Sequence, residues 1–358
     1  MKIAFRVDAS IVIGIGHVMR CRTLALLLKE QGVEIHFIIR ALPGNMGDIL
    51  VSDGFRVSVL PAPDKNHTGG GYSEWLGVTQ PKDALQTIEA LKGERVDWLV
   101  VDSYGLDVEW EEQLRFHVQK LMVIDDLANR SHNCDVLIDQ NYSLEGESRY
   151  AKLVPKTCNL LLGPKYALIR QEYIEQNKRN LIHDGLVRRV IIFFGGSDIQ
   201  NITSMALNAL TIPSLAHLEV DVVIGQNNPH CKSIERQIAA RPKTNAYHCR
   251  PHLADLMIKA DLALGAGGTT TAERLCLGLP SIVIGIAKNQ IPSCKALHVA
   301  GLINYLGYAD EVKWPRIAKE ITRMIASPGV LKKISSAGKK LVDGSGIQFI
   351  RQTFGNLQ

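Results

Sequence analysis

Several short runs of this 358-residue chain carry side chains that could do chemistry. The first, GIGH at Gly14 to His17, puts two glycines and a histidine where an apolar run, KIAFRV, gives way to a helical one, HVMRCRTLALLLKE. Glycine lets a ligand approach the backbone. A histidine in the first turn of a helix feels the partial positive charge there, which favours the neutral imidazole able to accept a proton. His17 is therefore a candidate general base, although a histidine at such a place also serves simply to satisfy backbone groups. The second run, GAGGTTTAE from Gly265 to Glu273, follows a buried-strand pattern and opens a helix. Backbone N–H groups near Gly268, Thr269 and Thr270 then form an anion site suited to a diphosphate. Thr270 and Glu273 also have the spacing of a capping box, which would need no ligand.

Four further places fall at the ends of apolar runs: Asn289-Gln290, the FFGGSD stretch with Gly195, Gly196, Ser197 and Asp198, and the acidic ends Asp102-Ser103-Tyr104 and Asp125-Asp126. Strand-end carboxylates in an α/β sheet stand beside the ligand crevice, but they also cap the following helix. The glycines of GIGH suggest a dinucleotide fingerprint, which fails twice. The third glycine position holds Met19, and the second strand pattern ends in Arg40 where a ribose would need an acidic residue. A nicotinamide or flavin cofactor is not expected.

These residues must be positioned by the elements around them, and the elements alternate. Strand-like and helix-like stretches succeed one another from KIAFRV onward, with VEIHFII, FRVSVL, WLVVD, KLMVID and VLID completing a first series. Continuous apolar runs of this kind are strands buried on both faces, so the fold class expected is α/β with parallel sheets. The alternation restarts at Val187 with VRRVIIFFGGSD and continues through LEVDVVIG, NAYHC, DLALGAG, PSIVIGI and LINYLG. The expected organisation is a first Rossmann-like domain over 1–165, a crossing over 166–186, and a second Rossmann-like domain over 187–341. The last segment, 342–358, is expected to return to the first domain as a helix. A ligand cleft is expected between the carboxyl ends of the two sets of strands. The stretch from Leu60 to Gln80, glycine-rich with one tryptophan, is too long for a simple connection and reads as a lid or binding loop.

Composition narrows the functional classes. A net charge of +5 with no basic block argues against nucleic acid as a partner but allows a small anionic ligand. The apolar runs fall far short of the ~20 residues of a membrane span, and MKIAFRVD carries Arg6 and Asp8 where a secretory signal needs an unbroken apolar core. A cytoplasmic protein without membrane insertion is expected. The seven cysteines are scattered, show no CxxC pair and no metal-type spacing with histidine, and read as reduced thiols, so no metal is expected.

The combination of GxGH in the first series with a glycine turn, a helix-borne glutamate and an NQ pair in the second resembles the GT-B fold of nucleotide-sugar enzymes, the peptidoglycan N-acetylglucosaminyltransferase family among them. RVDASIVIGIGHVMRCRTLA, VDSYGLDVEWEEQLR, VIDDLANRSHNCDVLIDQNY, LLGPKYALIRQEY, FFGGSDIQNIT and GAGGTTTAERLCLGLPSIVI point more narrowly. Together they resemble the pseudaminic-acid pathway hydrolases that cleave UDP-2,4-diacetamido-2,4,6-trideoxy-β-L-altropyranose. Arg22 departs from the apolar residue expected in the first helix, at no cost to the chemistry. The resemblance implies metal-independent hydrolysis of the anomeric bond, with water as acceptor and UDP and the free diacetamido sugar as products. It implies His17 as general base, Glu273 on the ribose hydroxyls and Gly267, Gly268, Thr269 and Thr270 on the diphosphate. Gly14, Gly16, Tyr104, Asn289 and Gln290 fall near the sugar or distal phosphate, and backbone around His248 to Arg250 near the uracil. A GT-B transferase using a UDP-sugar, a 2-epimerase, or a UDP-sugar-binding protein without turnover are the alternatives.

Overall fold

The computed structural model describes residues 1–63, 71–179, 182–248, 250 and 252–355. Part of the long loop, 64–70, together with Cys249 and the last residues of the expected C-terminal helix, 356–358, lies outside the described residues. The chain divides into two compact units. One comprises 1–141, 145–168 and 346–358, and the other 142–144 and 169–345.

The first unit is a seven-stranded parallel sheet. Its strands are β1 (Lys2–Val7), β2 (Glu34–Arg40), β3 (Arg56–Leu60), β4 (Val96–Asp102), β5 (Val118–Ile124), β6 (Val136–Asp139) and β7 (Asn159–Leu162), in the order β3-β2-β1-β4-β5-β6-β7. Helices α1 (Gly16–Lys29), α2 (Gly47–Ser52), α3 (Gln80–Leu91) and α4 (Val108–Leu114) make the connections, and the stretch Gly71–Leu76 forms a 3-10 turn within the long loop. Chain order reverses between β1 and β4, which start connections to opposite sides. That reversal opens the crevice where ligands bind in open α/β sheets. The helix Gly346–Thr353 belongs to this unit. A Cβ on Gly346 would stand 2.6 Å from the carbonyl of Ala167, so only glycine lets the helix start there, and Phe354 sits edge-on to Trp98 at 5.0 Å.

Charge is buried in this sheet by pairing. Arg6 in β1 and Arg40 at the end of β2 are fully buried, and both reach Asp83 of α3, at 2.6 and 2.5 Å. Asp83 also accepts from the Trp110 indole at 3.0 Å, and Asp8 lies 2.7 Å from Arg6. Arg40, whose basic character argued against a dinucleotide, is thus a structural member of a buried ionic cluster.

The second unit is a six-stranded parallel sheet of β8 (Arg189–Phe193), β9 (Glu219–Ile224), β10 (Thr244–His248), β11 (Leu262–Ala266), β12 (Ser281–Gly285) and β13 (Asn304–Tyr308), ordered β10-β9-β8-β11-β12-β13. Around it lie α5 (Gln171–Lys178), α6 (Ile202–Ala209), α7 (Cys231–Ala240), α8 (Ala254–Met257), α9 (Thr270–Leu277), α10 (Gln290–Val299), α11 (Trp314–Ile325) and α12 (Pro328–Leu341). Its reversal falls between β8 and β11, where Phe193 pairs with Gly265. Each sheet therefore repeats one architecture, and each sets a glycine-rich turn at its own reversal point.

Candidate active site

In the first unit the turn after β1 is tied by its own serine. Ser10 Oγ accepts from the N–H groups of Val12 and Ile13 at 3.2 and 2.9 Å, and Gly14 donates to the Ser10 carbonyl at 2.8 Å. Gly14 has φ +80°, a left-handed conformation that explains its identity without a ligand. Gly16 begins α1, which places His17 in the first turn.

The reversal point brings Asp102, at the end of β4, against this turn. His17 Nδ1 lies 2.6 Å from Asp102 Oδ1. Arg20, one turn along α1, grips the same carboxylate, Nε to Oδ2 at 2.6 Å and Nη2 to Oδ1 at 2.7 Å. It extends Nη1 to Asp126 at 3.2 Å, and Asp126 accepts in turn from the Tyr104 hydroxyl. Burial would push the Asp102 carboxyl up, but Arg20 first and His17 next hold it well below the usual carboxylate range. Asp102 is therefore an anion at neutral pH, and as an acceptor it fixes the imidazole proton on Nδ1. Nε2 is then the basic nitrogen of the neutral ring, and no described residue hydrogen-bonds to it.

His17 borders a small hollow together with Asp8, Asp102 and Ser103 on its polar side, and Ile13, Trp75 and Tyr104 on its apolar side. The Tyr104 ring stands edge-on to the imidazole at 4.7 Å. Its hydroxyl is pushed well above the ordinary phenol value by burial and by Asp126, so Tyr104 remains a neutral donor. Asp125 is spent otherwise: it caps Ala128 at 2.9 Å and pairs with Arg130 at 2.8 Å.

In the second unit the turn Gly267 to Thr270 leads into α9. The N–H groups of Gly268, Thr269 and Thr270 have no acceptor among the described residues, the ordinary state of a first helical turn. The capping box is not made: the cap residue is Thr269, without a side-chain cap bond. Glu273 Oε1 instead accepts from Arg170 Nε and Nη2, at 3.0 and 2.8 Å. Its other oxygen, Oε2, is buried with no hydrogen-bond partner among the described residues. Burial raises the Glu273 carboxyl, with Arg170 opposing. Arg274 is buried beneath the turn, Nη2 donating to the Ala266 carbonyl at 2.7 Å and Nη1 to Thr270 at 3.2 Å. Burial brings its guanidinium down to about 10, and it stays a cation.

Gln290, opening α10 next to Asn289, lies against the same turn. Its Oε1 accepts from Ile286 N–H at 3.0 Å, and a Cβ on Gly268 would be 3.6 Å from its Nε2. The FFGGSD stretch divides its duties. Asp198 caps α6, accepting from Ile202 and Thr203 at 2.8 and 2.9 Å, so its role is structural. Gly195 and Gly196 give close approach to Gly225, where a Cβ would meet the Gly196 carbonyl at 2.3 Å.

Asp125 and Asp198 are spent on capping and His248 ends β10 at the edge of its sheet, while the other site candidates fall in two groups. His17, Gly14, Gly16 and Tyr104 gather at the first unit's reversal point, and Gly267, Gly268, Thr269, Thr270, Glu273, Asn289 and Gln290 at the second's. Arg20, Asp8, Trp75, Arg170 and Arg274 were not singled out from sequence. Arg20 had a usable signal, because three residues after His17 on a helix is the same face. Among the described residues one group could ligate a metal: Cys231, Glu235 and His248, whose donor atoms lie within 4.8 Å of one another. It joins α7 to β10, a proximity that linear spacing does not show, and it includes His248, at the strand end where the resemblance places the uracil. The described cysteines form no disulfide, and no described helix is long and apolar enough to cross a membrane.

No family model matches the chain. Among curated proteins it is 24% identical to the UDP-2,4-diacetamido-2,4,6-trideoxy-beta-L-altropyranose hydrolase of Campylobacter jejuni, over 81% of this chain and 93% of the relative. It is 22% identical to the spore coat polysaccharide biosynthesis protein SpsG of Bacillus subtilis, over 97% of this chain and 96% of the relative. Among solved structures, MurG of Acinetobacter baumannii superposes with a TM-score of 0.68 at 12% identity, covering 99% of both chains. A putative UDP-N-acetylglucosamine 2-epimerase of Listeria monocytogenes superposes at 0.63 with 13% identity, over 99% of this chain and 96% of that one. The chain is a GT-B-fold protein and a sequence relative of the UDP-diacetamido-trideoxy-altropyranose hydrolases and SpsG.

Proposed function

We propose that the protein hydrolyses the anomeric C–O bond of a UDP-sugar, UDP-2,4-diacetamido-2,4,6-trideoxy-β-L-altropyranose being the substrate for which two of its relatives are named. The observation that carries this reading is the His17–Asp102 pair, with Nδ1 committed to the carboxylate and Nε2 left for a water molecule. In the reaction the water oxygen forms a bond to the anomeric carbon while His17 Nε2 takes its proton. The bond from that carbon to the diphosphate oxygen breaks, and its electron pair leaves with UDP. Attack opposite the leaving group inverts the anomeric centre. Asp102 balances the imidazolium that forms, and Arg20 keeps Asp102 ionised and in register.

The leaving group is already a stabilised anion, so the second unit needs only to hold charge. The first turn of α9 and the buried Arg274 supply it. Unpaired Glu273 Oε2 is suited to accept from ribose hydroxyls, with Arg170 fixing the carboxylate. No metal or cofactor enters these steps.

The test is to incubate the purified protein with the UDP-sugar and no acceptor, following products by NMR. Free inverted sugar and UDP released in equal amounts are expected. UDP-sugar left intact until an acceptor is added would establish a transferase, and a product changed at C2 an epimerase. His17→Asn that binds UDP yet hydrolyses at the wild-type rate would remove the general base.

A further inference from the structure

The hollow beside His17 is walled on one side by apolar groups that the chemistry of bond cleavage does not use. Ile13 comes from the turn after β1 and Trp75 from the 3-10 turn Gly71–Leu76, and both are only half-buried. Trp75 does not stand alone. Its ring lies 5.6 Å from Tyr104 at 30°, and Tyr72 packs edge-on to both, at 4.8 and 4.9 Å. Three mutually braced rings hold the indole beside the imidazole, 6.5 Å away. The neighbouring turn is apolar as well: Val12 is 76% exposed and Ile15 42%.

A hydroxyl-rich sugar ring held beside a wall of Ile13 and Trp75 would bury hydroxyls without partners, which costs affinity. Methyl groups in the same place gain from leaving water. Most of the polar side of the hollow is already committed, since Asp8 accepts from the Arg40 N–H at 2.7 Å and faces Arg6, Asp102 is filled by His17 and Arg20, and Ser103 Oγ accepts from the Gly105 N–H at 3.3 Å. Few protein acceptors remain for extra hydroxyls.

We infer that Trp75, with Ile13, is a specificity-determining wall that selects sugars bearing methyl groups in place of hydroxyls, namely 6-deoxy and N-acetylated rings. The inference rests on the UDP-sugar reading above and adds to it the residues that choose the sugar. Trp75 positions no proton and holds no phosphate, so its loss acts on sugar recognition and leaves UDP binding in place.

The experiment compares wild type, Trp75→Ala, Trp75→Phe and Ile13→Ser on two probes, the UDP-diacetamido-trideoxy sugar and UDP-N-acetylglucosamine, which keeps hydroxyls at C4 and C6. Both hydrolysis and calorimetric binding are read, with UDP alone as the control ligand. Trp75→Ala should lower kcat/KM for the trideoxy substrate by about 10- to 100-fold, mainly through KM. It should change the acetylglucosamine probe little, so that the preference narrows. UDP affinity should stay at the wild-type value, the melting temperature should fall only slightly through the lost ring contacts with Tyr72 and Tyr104, and Trp75→Phe should restore most of the preference. An unchanged preference in Trp75→Ala, in a protein that hydrolyses the sugar, overturns the wall and leaves the hydrolase reading intact. Wild type that turns over neither probe defeats the hydrolase reading. The binding arm then decides the wall by itself: a trideoxy-sugar preference lost in Trp75→Ala upholds it, and equal binding of both probes overturns it.

Discussion

His17 and Asp102 stand 85 residues apart in sequence and 2.6 Å apart in space, joined through Nδ1 and Oδ1 at the reversal point of the first sheet. The bond selects which nitrogen of the ring can act. Replacing Asp102 by Asn retains the shape, loses the charge that Arg20 grips, and lets Nδ1 and Nε2 exchange roles. Hydrolysis of the UDP-sugar by Asp102→Asn should fall about 10²- to 10⁴-fold, the range of a lost general base, while UDP affinity measured by calorimetry is kept. Wild-type kcat in this variant would mean that the pair is structural.

Glu273 provides a complementary test in the second unit. Its carboxylate meets Arg170 on one oxygen and has none of the described residues on the other. Glu273→Ala should weaken UDP binding by about 10-fold or more, as expected for lost hydrogen bonds to a charged acceptor. 2′-Deoxy-UDP should bind wild type and variant with a smaller difference than UDP does. Equal loss for both nucleotides would place Glu273 in the support of the fold.

Asp83 carries the buried charge of the first unit. Asp83→Asn leaves Arg6 and Arg40 buried with their shared anion gone. Breaking such a cluster costs about 3–5 kcal/mol. Urea unfolding should show the midpoint falling with the slope unchanged, provided the first unit unfolds as one.

Asp139 predicts a pH dependence of stability. Burial pushes its carboxyl up to about 7 from an ordinary 3.8, with Arg149 opposing and Asp126 adding to the rise. Between those values the native state holds a proton that the unfolded chain has released, so this group's contribution falls as pH rises from about 4 to 7 and is level above that. Asp139→Asn removes the titration but leaves any packing change independent of pH. The melting temperature of the variant relative to wild type should therefore rise between pH 5 and pH 8, and a constant difference would show that Asp139 does not titrate in this window.

How far these features could be read from sequence depends on how local their cause is. The strands were legible because a strand buried on both faces writes a continuous apolar run, as in VIIFF and WLVV, and the parallel α/β class follows from their alternation with helices. His17 was visible because glycines flank it. The constellation around it was not, since Asp102, itself readable as a strand-end carboxylate, meets His17 and Arg20 only when β4 pairs with β1. Arg40 could be read as a missing acid but not as the partner of Asp83, because nothing local ties β2 to α3. Trp75 lay in a stretch without periodicity, and the rings that brace it are held by contacts with Tyr104, distant in sequence. The capping box failed for a similar reason: Arg170, from the crossing segment, takes the carboxylate that local spacing assigned to the helix start.

Gly267 gives a prediction in which two residues must be changed together. A Cβ there would stand 2.2 Å from Cys294 Sγ, far inside contact distance, and 3.3 Å from the Gln290 Cβ. The glycine is thus needed for α10 to press against the turn that opens α9, quite apart from any ligand. Gly267→Ala should push the turn off α10, lowering the melting temperature and weakening UDP binding together. Cys294 is buried, and burial pushes its thiol up to about 12, so it is a neutral space-filling group there. Cys294→Ala removes the clashing sulfur at the cost of a small cavity. The double variant should recover part of both losses, with a coupling energy of about 0.5–3 kcal/mol in the stability cycle, as expected for residues in contact. Additive effects would mean that the turn moves away from α10 without meeting the sulfur. Recovered stability without recovered UDP binding would show that the ligand needs the bare backbone at Gly267 itself.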